Sequence, residues 1–134
     1  MRDLHNHLQA IGSEADRQAS TTPIATGTID RQGYDSVEVF LIFGTLAGDP
    51  STFTVLFQES ENANFSSPNT VATTDLLGSI PSPTNANDDT VYKFGYIGSK
   101  RYLKVTVTQG GATPGNADVG IIVLGGNKSQ QPTG

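Results

Sequence analysis

Apolar and polar residues alternate with a period of two along most of this chain. In 101–108, Leu103, Val105 and Val107 fall on one face of an extended strand. Tyr102, Lys104, Thr106 and Thr108 fall on the other. One side suits a core and the other suits water. The same writing recurs at Val37, Val39, Leu41 and Phe43, and again at Phe53, Val55 and Phe57. Phe40 and Ile42 are apolar on the opposite face, so 37–43 reads as a strand covered on both sides. Segments 24–29, 91–97 and 119–124 complete a set of six or seven short strands, which predicts a sandwich.

Turn residues punctuate these segments. Asp30-Arg31-Gln32-Gly33 reads as a turn, and 44–50, with its Gly, Asp and Pro, reads as a hairpin loop. Gly98-Ser99 predicts a tight turn joining 91–97 to 101–108. Residues 109–116 read as a Gly- and Pro-rich loop. The stretch 61–89 is long and irregular, with a strand candidate at 71–77. A connection of that length inside a compact domain predicts an excursion between sheets that presents a contact loop.

The first 22 residues differ. Leu4, Leu8, Ile11 and Ala15 follow the spacing of a narrow helical stripe, interrupted by Gly12 and Ser13. Ser13-Glu14-Ala15-Asp16 also suits the cap of a separate short helical turn. Pro23 ends any helix before it. The reading is a marginal arm over 1–22, a sandwich domain over 23–126 and a flexible tail over 127–134. The fold class expected is all-β: an antiparallel, jelly-roll-like β-sandwich with a short N-terminal arm that is helical.

Composition narrows the function. Net charge is −5, which argues against a nucleic-acid surface, since phosphate neutralisation needs clustered Lys and Arg. No apolar run approaches the roughly 20 residues of a membrane helix. The N-terminus carries no apolar signal-peptide core. Cysteine is absent, so disulfides and thiolate metal sites are unavailable. Charged residues are only 16% of the chain, and Ser, Thr, Asn and Gly replace them. Such neutral polar surfaces suit broad contacts with protein.

Groups able to carry chemistry are sparse. His5 and His7 share a face of an extended strand, but no third ligand follows at fixed spacing. Glu59 with Glu61, and Asp88 with Asp89, read as solvated carboxylates rather than an acid–base pair. Residues 85–89 lack the spaced acidic pattern of a calcium loop. No enzyme activity and no cofactor are expected. Tyr34, Tyr92, Tyr96 and Tyr102 suit either a wet protein interface or cross-strand packing. Tyr92, Phe94 and Tyr96 share one strand face, with Tyr102 expected nearby.

Three motifs carry a resemblance. They are Gly33-Tyr34-Asp35-Ser36-Val37, Gln58-Glu59-Ser60, and Tyr96-Ile97-Gly98-Ser99-Lys100-Arg101-Tyr102-Leu103-Lys104-Val105. Over 27–125 the chain resembles small virion proteins of tailed bacteriophages that are often encoded beside the major capsid protein. The resemblance implies a capsid decoration, or cement, protein that binds the outer shell and clamps neighbouring subunits. The partners implied are the major capsid protein and further copies of the chain, as a dimer or trimer, in the virion. Other readings are a tail or head–tail joining component and a carbohydrate-binding module. The absence of tryptophan counts against the last. Contact residues expected are Leu4, Leu8 and Ile11 in the arm, and Tyr92, Tyr96, Arg101 and Tyr102 on the sheet.

Overall fold

A computed structural model describes residues 5–19, 23–48, 52–111 and 114–128. Among these residues ten strands form: β1 (Leu8–Ala19), β2 (Ile24–Ala25), β3 (Ile29–Asp30), β4 (Tyr34–Gly48), β5 (Thr52–Ser60), β6 (Asn69–Thr70), β7 (Leu76–Leu77), β8 (Thr90–Tyr96), β9 (Tyr102–Gly110) and β10 (Pro114–Lys128). One sheet, here sheet A, runs β1-β10-β4-β8-β7. The other, sheet B, runs β2-β9-β5-β6, with β3 also paired to β9. Every pairing is antiparallel. No helix among the described residues is long and apolar enough to cross a membrane.

The alternation places the core where the sequence predicts it. Val37, Val39, Leu41 and Phe43 of β4 and Val119, Ile121 and Val123 of β10 point inward from sheet A. Phe53, Val55 and Phe57 of β5 and Leu103, Val105 and Val107 of β9 meet them from sheet B. Aromatic rings stitch the layers edge to face: Phe43 to Phe53 at 5.3 Å and Phe57 to Phe94 at 5.2 Å between centroids. Such pairs add about 0.5–1.5 kcal/mol each beyond area burial.

The connections differ from the prediction. The strands flanking 44–50 do not form a hairpin: β4 lies in sheet A, runs on to Gly48, and β5 lies in sheet B. Nor is Gly98-Ser99 a hairpin turn, because β8 and β9 also lie in opposite sheets. Both links cross between layers. Local alternation specifies which residues face inward but not which sheet supplies the other wall. The loop expected at 109–116 shrinks as well, since β9 reaches Gly110 and β10 starts at Pro114. The expected excursion at 61–89 does change sheets, through β6 on sheet B and β7 on sheet A. Only Asn69–Thr70 and Leu76–Leu77 of it are strand, around a 3₁₀ turn at Thr73–Asp75.

The helical arm is also corrected. After a 3₁₀ turn at His5–His7, residues 8–19 form an edge strand paired with β10 along its length, from Leu8 opposite Gly126 to Ala19 opposite Asn116. A bulge between Ala10 and Gly12 accommodates the extra residue Ile11, which packs against the core. Gly12 is required there: a Cβ would meet Ile29 at 2.8 Å. The backbone of β10 offered an open edge, and pairing with it outweighs a weak helical stripe. Residues 129–134 of the expected tail lie outside the described residues.

Candidate interaction surface

Two features stand out from the body of the sandwich: a polar knot at one end and an apolar outer face on sheet A. The knot forms where the chain crosses from β8 to β9. Tyr96 ends β8 with its ring in the core, 1% exposed, against Phe57 at 5.8 Å. Its hydroxyl donates to Glu59 Oε2 of β5 at 2.5 Å and accepts from the Lys100 N–H at 2.9 Å. Burial pushes the Tyr96 hydroxyl's pKa well above its ordinary value, and the bond to Glu59 adds to the shift. Arg31, from the turn before β4, sits over the same ring with its guanidinium carbon 5.2 Å from the centroid. It donates to the carbonyls of Gly98 at 2.9 Å, Tyr34 at 3.1 Å and Lys100. Three backbone carbonyls thus occupy its donors, and the crossing link is wound around one tyrosine and one arginine.

Nearer the solvent, Arg101 makes a bidentate pair with Asp30, at 2.9 and 2.8 Å. Its guanidinium also lies 5.0 Å from the Tyr102 ring centroid. The hydrogen bond from Arg101 holds the Asp30 carboxyl below its usual pKa. Lys100 Nζ pairs with Glu61 at 2.8 Å in the open. A cleft of about 250 Å³ lies between Arg31, Tyr34 and Arg101. Both of its arginines are engaged by protein partners, so they are not waiting for an anion. Among the described residues no group of three His, Asp or Glu is placed to hold a metal.

The outer face of sheet A follows from the register. Side chains directly opposite one another in paired strands share a face. One row across the sheet is Leu77, Gly95, Glu38, Leu124 and Ala10. The next is Lys93, Phe40, Ile122 and Ser13, and the third is Val91, Ile42, Gly120 and Ala15. Six large apolar side chains are exposed among the described residues, and four of them, Ile42, Leu77, Val91 and Ile122, lie on this face. Phe40 and Leu124 lie half-buried between them. Glu38 and Lys93 are the charges in these three rows. Desolvation on this apolar ground raises the Glu38 pKa, against the pull of Lys93. The face of sheet B is different, carrying Thr54, Leu56, Gln58, Lys104, Thr106 and Thr108. Phe40 and Ile42 are therefore not sandwiched between two layers, as the sequence suggested. They floor an uncovered one.

No family model matches the chain. No curated protein matches it in sequence. Solved structures do resemble it. The PBSX exported protein XepA superposes over 95% of this chain with a TM-score of 0.53 and 15% identity. The chain spans 39% of that protein's length. The CBM22-1 xylan-binding domain from Paenibacillus barcinonensis matches over 94% of this chain and 89% of its own, with a TM-score of 0.50 and 11% identity. The likeness is one of fold. This chain is an antiparallel β-sandwich of the jelly-roll kind. At such identities no ligand or residue role is carried across.

Within that sandwich the expected contact residues separate. Leu4 lies outside the described residues. Leu8 is half-buried at the start of β1, and Ile11 is turned toward the core. Tyr92, Phe94 and Tyr96 do share a face, but it is the inward one. Tyr92 packs on Phe43 at 5.8 Å between ring centroids, and Tyr96 is sealed in the core. Tyr96 is thus corrected from a contact residue to the centre of the crossing, because its ring fills space between the sheets. Arg101 is exposed and Tyr102 half-buried, so both remain open to a partner. Sequence reasoning read Phe40 and Ile42 as outward apolar residues but missed the rows they belong to. Their signal was present in Ile122 and Leu124, which are apolar on the face opposite Ile121 and Val123.

Proposed function

We propose that this chain is a structural protein of a phage particle, seated on the outer surface of the capsid and clamping neighbouring subunits. One observation carries the reading of a chain that works by contact with protein: sheet A presents an uncovered apolar face, four strands wide, with four of the six exposed large apolar side chains among the described residues. Monomeric proteins rarely leave such a patch to water, and large ones mark contacts with protein. Chemistry is poorly supplied by comparison. The buried carboxyl of Glu59 and the hydroxyl of Tyr96 are bonded to each other, and among the described residues no group of three His, Asp or Glu converges. The virion assignment draws on the motifs at 33–37, 58–60 and 96–105. The shared fold with the PBSX exported protein is compatible with it.

Repetition supplies the strength. Many modest contacts, multiplied over a symmetric shell, give avidity far above that of one site. The test is co-sedimentation with capsid shells built from the major capsid protein carried by the genome that encodes this chain. Saturable binding at a fixed ratio to capsid subunits, with shells that then resist heat or chelation longer, is the expected result. Shells that pellet without the chain at micromolar concentrations would remove the proposal.

A further inference from the structure

We infer that the outer face of sheet A is the seat of a second copy of this chain, packed face to face about a two-fold axis. The inference deepens the structural reading above and rests on it: a chain that works by assembly. The face suits itself. Its two charges, Glu38 on β4 and Lys93 on β8, are opposite in sign and lie on a diagonal one strand and one row apart. On a sheet, strands stand about 4.8 Å apart and side chains on one face about 6.8 Å apart. A two-fold axis lying in the interface, perpendicular to the line from Glu38 to Lys93 at its midpoint, exchanges those two positions. Each Glu38 then faces the partner's Lys93, twice per pair.

The same axis passes close to Gly95, Phe40 and Ile122, so each meets its own symmetry mate. It carries Ile42 and Val91 over the partner's Leu124. Apolar side chains thus meet apolar ones throughout, and neither charge is buried alone, the arrangement that is costly. A non-self partner would have to supply the same diagonal by design. A two-fold copy supplies it by symmetry. The three rows over four strands project to roughly 400 Å² per copy, about half the ~800 Å² a side of a standard interface, which fits a pair that forms at high concentration. About that axis the strands of the two copies cross at roughly 70°, close to the orthogonal class of sheet packing, with the layers about 10 Å apart. The pair leaves two identical sets of remaining surface, the knot with Arg101 and Tyr102 and the face of sheet B. Two equivalent ends are what a clamp across neighbouring subunits requires.

The test is sedimentation velocity of the full chain over a dilution series, with charge reversals on the face. Wild type should run at twice 14.1 kDa at about 0.1 mM. Glu38→Lys alone and Lys93→Glu alone put like charges opposite each other and should each weaken the pair by about tenfold or more. The double reversal, Glu38→Lys with Lys93→Glu, restores the opposition and should recover the pair to within about threefold of wild type. Both residues are on the surface, and urea unfolding of each variant confirms that its fold is intact. A wild-type monomer at that concentration overturns the inference, as does a pair indifferent to single reversals or one that the double reversal fails to rescue. A monomer that still coats capsid shells removes this inference alone. A pair that ignores the shells removes the capsid reading and leaves the pair standing.

Discussion

Replacing Tyr96 with phenylalanine isolates what the polar knot contributes. The ring stays, so its contacts with Phe57 and the core are kept and no cavity opens. Only the hydroxyl is lost. Glu59, 8% exposed, then loses the donor 2.5 Å from its carboxyl. A buried polar group left without its partner costs about 1–3 kcal/mol. The Lys100 N–H loses its acceptor too, but it is half-exposed and turns to water, adding well under about 1 kcal/mol. The expected loss is about 2–3 kcal/mol. For a chain of 134 residues this lowers Tm by roughly 7–11 °C. Urea unfolding followed by far-ultraviolet dichroism measures it. Pairing the change with Glu59→Leu completes a double-mutant cycle. The double variant should lose at least about 1 kcal/mol less than the two single losses combined, because neither orphan remains. A Tyr96→Phe loss under about 0.5 kcal/mol, or an additive cycle, would refute the reasoning.

Further outcomes follow from the same geometry. Gly98→Ala drives a Cβ to within 2.5 Å of the Tyr96 hydroxyl, which is pinned by two hydrogen bonds, so stability should fall by about 1–3 kcal/mol in urea unfolding. Alkaline pH should also unfold the chain. Tyr96 keeps its proton in the folded state at pH values where the unfolded tyrosine, near 10.0, has lost it; stability is therefore flat below that value and falls as pH rises above it, and Tyr96→Phe should flatten the fall. Gln109 is 1% exposed, and neither its amide nitrogen nor its oxygen has a hydrogen-bond partner. Gln109→Met should therefore raise stability by about 1–2 kcal/mol, read as a higher urea midpoint at unchanged m-value.

How far the sequence reaches is clear from particular strands. The inward faces of β4, β5 and β9 were legible because a period of two needs only local residues. Leu103, Val105 and Val107 are each fully buried, as their alternation required. The partner of each strand was not legible. The links β4–β5 and β8–β9 look like hairpins in sequence and are crossings in space, since sheet membership depends on contacts far apart in the chain. β1 misled for a related reason. Its polar alternation is weak, its apolar spacing fits a helix, and only the open edge of β10 makes it a strand. Tyr96 was visible as an interfacial type of residue. Its tight partner Glu59, 37 positions away, was not predictable from either segment alone. The outer apolar face was half-read: Phe40 and Ile42 signalled a second cover, and the chain itself does not supply it.

The central claim is that this sandwich acts by covering other protein on a viral shell. Cryo-microscopy of the particle tests it in one measurement. The account predicts two-fold pairs of the sandwich repeated over the whole icosahedral surface, with sheet A buried inside each pair. Density confined to a single vertex, or a shell without the sandwich, would contradict it.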